Sequence, residues 1–168
     1  MGNHEFNFLP NQRDTQVLFA ENEGISCLSG NVTLLEDGLN VHGDKAKAGE
    51  PFYQPYEIFT FKFDDGLKAK VAVIGLGNAA NANWDLATNY PNLSFSSLEN
   101  KDGILANEID KWVEVVRNKE KADIVIVAVH SGLGSADSFS LESQTLMAAQ
   151  ATSGVDLIIC GHDHQANI

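Results

Sequence analysis

The sequence predicts an α/β domain: a layered, mostly parallel sheet with flanking helices. Three observations carry that prediction. Ile124–Val129 (IVIVAV) is a continuous apolar run, the pattern of a strand buried on both faces, and Val155–Cys160 (VDLIIC) reads as another buried strand. Leu105–Val116 repeats apolar residues at helical spacing just before the first run, and Leu141–Thr152 does so between the two. Strand and helix alternating at this spacing build parallel βαβ units.

Taken in chain order, Gly38–Pro55 is rich in Gly, Lys and Asp and reads as a long surface loop, with His42 as solvated surface. Tyr56–Phe63 alternates, placing Glu57, Phe59, Phe61 and Phe63 on one face. Asp64-Asp65-Gly66 is a turn signal and Lys70–Leu76 resumes as a strand, so a β-hairpin feeds the sheet. In the helix over Leu105–Val116, the residues Leu105, Ile109, Trp112, Val113 and Val116 share one face and are expected to be buried. The second helix, Leu141–Thr152, stops near Gly154. There is no internal repeat, low-complexity tract or linker, which makes residues 1–168 part of one domain.

Composition excludes several classes of function. With 23 acidic against 11 basic residues the net charge is −12, which opposes binding to polymeric nucleic acid or anionic membrane. Two cysteines, Cys27 and Cys160, form neither a disulfide framework nor a CxxC pair. No apolar run approaches the roughly 20 residues that span a bilayer, and no signal peptide is visible.

The chemistry lies in the histidines. His130 follows IVIVAV directly, and His162 and His164 follow VDLIIC within Gly161-His162-Asp163-His164. Ligands gather at the carboxyl ends of strands in such sheets, and imidazole suits Zn, Mn, Fe and Ni. The i, i+2 spacing lets two imidazoles diverge from a tight loop, with Gly161 allowing close backbone approach. Each signal alone has a plainer reading. The pair fits a hydrogen-bonded loop equally well, and His130 fits a polar group tying down a strand end. Asp163 either orients a neighbouring imidazole or faces solvent.

A third cluster, Gly2-Asn3-His4-Glu5, changes the balance. GNHE, then a strand-end histidine followed by Ser131-Gly132, then GHDH, in this order from Gly2 to His164, resembles the calcineurin-like metallophosphoesterases. The resemblance implies their layered sheet and a site for two divalent metal ions (Mn, Zn, Fe or Co). Asn3, His130 and His162 would bind the second ion and His164 the first. His4 would be the catalytic, non-ligand histidine that protonates the leaving oxygen. His130-Ser131-Gly132-Leu133 and Trp84-Asp85 resemble the 5′-nucleotidase and 2′,3′-cyclic phosphodiesterase branch. Where 5′-nucleotidases read GNHEFD, with an aspartate beside the catalytic histidine, this chain has Asn7. GNHEFN is the form associated with 2′,3′-cyclic-nucleotide 2′-phosphodiesterase/3′-nucleotidases, which implies a nucleotide substrate. An asparagine supplies no anion, so acid catalysis in the two branches should differ.

The family's DxH motif and the GD that follows it, which supply three ligands, lie nowhere in this chain. The expectation is therefore the later part of a catalytic domain, truncated at both ends and lacking the nucleotide-binding domain of a larger extracytoplasmic enzyme. The piece itself should hold one metal ion or none and have little activity, with exposed sheet edges that invite dimerisation. Alternatives are a 5′-nucleotidase or UDP-sugar hydrolase of the same family, or a non-catalytic module in which Asn3, His130, His162 and His164 hold one structural Zn.

Overall fold

The computed structural model describes residues 1–95 and 104–165. In chain order its elements are α1 (Pro10–Asn22), β1 (Val32–Leu34), β2 (Gly38–Leu39), β3 (Lys45–Ala46), β4 (Tyr56–Lys62), β5 (Lys68–Leu76), α2 (Asn81–Trp84), β6 (Leu93–Phe95), α3 (Ile104–Asn118), β7 (Ile124–Val129), α4 (Thr145–Ala151) and β8 (Leu157–Cys160). Single 3-10 turns cover His4–Asn7 and Ala87–Asn89.

The frame is a four-stranded sheet in the order β4-β5-β7-β8. β4 and β5 form the expected antiparallel hairpin, pairing from Tyr56↔Ile74 to Lys62↔Lys68. β5, β7 and β8 run parallel, with α3 and α4 as the intervening helices. Alternation in the strands sends Ala72, Ile74, Leu76, Val125, Val127 and Val129 to one face, where they pack with Leu105, Ile109, Trp112, Val113, Val116 and Ala148. All five residues expected on the buried face of α3 are buried there. Trp112 also reaches beyond this layer, donating its indole N–H to the Gly30 carbonyl (3.3 Å).

The opposite face departs from the expectation of strands buried on both sides. Phe59, Phe61, Ile124, Leu157 and Ile159 are each 42–55% exposed on it. β8 is an edge strand, paired among the described residues with β7 alone. Apolar continuity marks these segments as strands, but coverage depends on what packs over them.

A second apolar cluster joins Phe6, Val17, Val32, Leu34, Val41, Tyr53, Leu93 and Phe95. It is built on the antiparallel β1–β6 pair, with Phe6 and Phe95 ring centroids 4.6 Å apart, edge to face. The expected surface loop Gly38–Pro55 is more ordered than that: it contains the β2–β3 ribbon and buries Val41 and Tyr53. His42 stays near the surface, with Nε2 2.8 Å from Glu21 Oε2. Helix α1 was not among the expected elements. It carries no apolar stripe, and the residues it buries are Val17 and Arg13, whose guanidinium lies over the Phe6 ring and donates to the Asn89 carbonyl (2.6 Å). α4 starts at Thr145 rather than Leu141, because the preceding residues are held by the loop after β7. There the Gln144 N–H donates to Ser131 Oγ (2.9 Å) and the Gly132 N–H to the Glu142 carbonyl (3.1 Å). No helix of the described residues is long and apolar enough to cross a membrane.

Candidate metal centre

Three segments meet at the carboxyl end of the parallel strands. The first is the GNHE turn, pinned by Phe6, which is fully buried in the second cluster. Its neighbours at the tip, Asn3, His4 and Asn7, stay accessible. The second is the loop after β7. The His130 N–H donates to the Leu76 carbonyl (2.9 Å), so the residue extends the β5–β7 ladder by one step. Buried Ser131 then turns the chain, its hydroxyl accepting from the Gln144 N–H and its carbonyl from the Thr145 hydroxyl (3.2 Å). The third is the GHDH loop after β8.

These segments bring Asn3 Oδ1 to 2.7 Å from His130 Nε2, and His162 Nδ1 to 3.4 Å from the same nitrogen. The His130 and His162 rings meet at 71° with centroids 5.2 Å apart. His162 has φ 134°, a backbone that L residues rarely adopt. Its ring stacks on Trp84 (5.4 Å, 20°), and Nε2 lies 3.6 Å from Glu142 Oε2. Nδ1, rather than Nε2, is therefore the nitrogen turned toward His130. Burial, reinforced by the neighbouring His162, holds the His130 imidazole below its ordinary pKa, against an opposing pull from Glu5. A neutral imidazole is the form that offers a lone pair.

The donor set fits a divalent cation. Bonds of about 2.0–2.2 Å meeting at 90–109° put neighbouring donors roughly 2.8–3.6 Å apart. Of the two separations around His130 Nε2, 3.4 Å lies within that interval and 2.7 Å just below it. Among the described residues no group of three or more His, Cys, Asp and Glu is arranged to hold a metal. The convergent set is two imidazoles and an amide oxygen.

His164, expected as a ligand of the first ion, is exposed at φ 54°, and no hydrogen bond or ring contact joins it to the other three. Asp163 does not orient a histidine. Its Oδ2 accepts from the Leu133 N–H (2.8 Å) and its Oδ1 from the Ser143 hydroxyl (3.4 Å), clamping the GHDH loop to the loop after β7. The glycine that permits this approach is Gly132, where a Cβ would sit 2.0 Å from Asp163 Oδ1. Gly161 has open space around it, contrary to the close-approach reading. His4 is exposed, with Nδ1 2.8 Å from Asn7 Oδ1, and the Asn7 amide donates to Asp85 Oδ1 (2.6 Å). Trp84 and Asp85 were legible only as a paired signature. Glu142 gave no signal at all, because its place beside His162 depends on the loop fold.

This is a layered α/β sheet that gathers two imidazoles and an amide oxygen beyond its parallel strands. The model of the family described as Calcineurin-like phosphoesterase matches residues 1–166, and the chain belongs to that family, whose members use divalent metals. The chain is 25% identical over 169 aligned residues to a 2′,3′-cyclic-nucleotide 2′-phosphodiesterase/3′-nucleotidase of Yersinia enterocolitica, and 27% identical to the trifunctional nucleotide phosphoesterase protein YfkN of Bacillus subtilis. Each alignment takes in 98% of this chain, but only 22% and 10% of those relatives' lengths. The crystal structure of YfkN superposes with a TM-score of 0.73 at 25% identity, over 98% of this chain and 44% of that one. A putative 5′-nucleotidase from Staphylococcus aureus, 20% identical, shares the fold with a TM-score of 0.65 over 97% of this chain and 28% of that one.

Proposed function

We propose that these residues are the later part of the catalytic domain of a phosphoesterase that hydrolyses 2′,3′-cyclic nucleotides and 3′-nucleotides. The convergence of Asn3 Oδ1, His130 Nε2 and His162 Nδ1 carries the reading. The name of the Yersinia relative and the GNHEFN form of the first motif support the substrate class.

Asn3, His130 and His162 would hold one ion. His164 and carboxylates outside these residues would hold another. Bound cations would acidify a water and neutralise phosphoryl charge during in-line displacement. His4 donates a proton to the departing ribose oxygen as the water oxygen–phosphorus bond forms and the phosphorus–oxygen ester bond breaks. Trp84 holds the His162 ring in plane, and Asp163 with Gly132 fixes the loop that presents it. A single structural Zn would need a fourth protein ligand, and the isolated position of His164 speaks against that rival. With few ligands for the first ion, the 168-residue piece has little activity of its own. The family resemblance supports an extracytoplasmic parent, and the open edge of β8 with its apolar face supports dimerisation of the isolated piece.

The test is hydrolysis of 2′,3′-cyclic AMP and bis-p-nitrophenyl phosphate with added Mn by the 168-residue chain, its parent and the parent carrying His4→Ala. The parent should bind two ions per chain and be active, and His4→Ala should lower kcat by about 10²–10⁴. A piece as active as its parent, or a parent that cleaves only 5′-nucleotides, would overturn the reading.

A further inference from the structure

We infer that Asp85 is a positioning residue for His4, acting through the side chain of Asn7. The inference deepens the proposed function and rests on it for the role of His4. The turn His4–Asn7 is a 3-10 turn, in which side chains three residues apart eclipse. That geometry sets Asn7 Oδ1 2.8 Å from His4 Nδ1. An asparagine alone would not fix the imidazole, because its amide can present either the carbonyl or the NH₂ end. Presenting the NH₂ end would require an unprotonated Nδ1, and presenting the carbonyl requires Nδ1–H.

Asp85 removes the ambiguity. An ionised carboxylate only accepts hydrogen bonds, so the Asn7 NH₂ must face it, at 2.6 Å from Nδ2 to Oδ1. A charge-assisted bond of that length is about twice as strong as a neutral one. The amide carbonyl is thereby committed to the Nδ1–H of His4, in the neutral ring and in the imidazolium alike, and Nε2 is the nitrogen that carries the imidazolium's second proton to the substrate oxygen. The carboxylate that GNHEFD sequences carry at the seventh residue is in effect moved out by one amide.

The relay is anchored at both ends. The Asp85 N–H donates to the Asn81 carbonyl (3.1 Å), and the Tyr90 hydroxyl donates to the Asp85 carbonyl (3.4 Å). Its Oδ2 is buried without a protein donor among the described residues, so Asn7 supplies the side chain's hydrogen bond. From the same segment, Asn89 Nδ2 donates to the carbonyls of Phe6 (3.1 Å) and Asn7 (3.3 Å), fixing the turn against residues 81–90. Asp85 is 78 residues from Asn7 in sequence, yet the two sit on surfaces that cannot shift independently.

The direct readout is the ring-nitrogen spectrum of His4 in the 168-residue chain, by long-range ¹⁵N–¹H correlation at about pH 8.5, roughly two units above the ordinary imidazole pKa. The Nδ1–H tautomer should predominate. Asp85→Ala should move His4 toward the Nε2–H form, while the amide spectrum reports that the chain stays folded. The exchange pair Asn7→Asp with Asp85→Asn should restore Nδ1–H, since it places a carboxylate directly beside the ring. In the parent, Asp85→Ala should lower kcat about ten- to hundredfold, the size of effect that loss of an orienting partner has on metal-ligating histidines, with KM and metal content little changed. A wild-type His4 found as Nε2–H, or a tautomer indifferent to both Asp85→Ala and the exchange pair, would overturn the inference. A parent without phosphoesterase activity but with the predicted tautomers would instead overturn the proposed function alone.

Discussion

The two faces of the four-stranded sheet are made of the same residue types and differ in what lies over them. On β7, Val125 and Val127 are fully buried and Val129 nearly so, while Ile124, one residue away, is 42% exposed. The first three point under α3 and α4 with Ile74 and Leu76. Ile124 shares its face with Phe59, Phe61, Leu157 and Ile159, all about half exposed. Large apolar residues scattered singly are ordinary on a surface, but five on one face of a single sheet raise the question of what covers them. The difference teaches that a strand's apolarity fixes its place in a sheet, and the chain passing over it fixes the burial. The loops proposed to hold a metal ion follow β7 and β8, so how that second face is covered bears on how firmly β8 and its GHDH loop are held.

The largest expected effect is on the covered face. Ile109 is fully buried among Val, Leu and Trp side chains, so Ile109→Ala should cost about 3–4 kcal/mol, read as a shift in the urea midpoint at constant slope. A loss near 1 kcal/mol would mean that α3 packs more loosely than its burial indicates.

A smaller effect sits where the sheet and its helices are tied together. Asp156 Oδ2 accepts from the Val125 N–H (2.7 Å) and from Arg117 (2.6 Å), which also donates to the carbonyls of Ala122, Asp123 and Gly154. The Val125 N–H first, then the Arg117 bond and its charge, hold the Asp156 carboxyl below its ordinary value. A depressed folded pKa means stability that is present above the ordinary aspartate value and lost as pH falls through the folded one. Asp156→Ala should cost under about 1 kcal/mol at neutral pH, because the side chain is half exposed and water screens the pair. It should also flatten the acid limb of the stability–pH curve below about pH 4. An unchanged acid limb would remove Asp156 from the clasp.

Much of this was legible in the sequence wherever a pattern repeats within one segment. The hairpin, the buried face of α3 and the parallel strands follow from periods of two and 3.6, the approach of His130 and His162 from their places at strand ends, and the place of Asn3 beside them from the family resemblance alone. Elements that gather scattered residues were not legible. The second cluster takes Phe6, Val32, Tyr53 and Phe95 from four separate segments, and α1 packs through a buried arginine rather than a stripe. Asp163 and Asp85 were visible as residues but not as a clamp and a relay, since their partners lie 20–30 and 78 residues away. His164 shared a motif with His162, yet of the two it is His162 whose ring packs against His130 and Trp84, and His164 is exposed.

The smallest expected effect decides whether the second face is open in solution. Phe61 stands on β4 opposite Ala69 and is 53% exposed. Phenylalanine and the β-branched threonine both suit a strand, so Phe61→Thr tests coverage rather than strand propensity. On an open face the change should stay within about 0.5 kcal/mol, the range of ordinary surface substitutions, at any protein concentration. If a second copy of the chain covers the face, the wild-type midpoint should rise with protein concentration and the substitution should abolish that rise, because association stabilises only the folded form. A large loss independent of concentration would instead mean that this chain covers Phe61 itself, and the contrast between the two faces would disappear. Sedimentation equilibrium on the same two proteins separates these outcomes, since the second alone requires a wild-type dimer that Phe61→Thr converts to monomer.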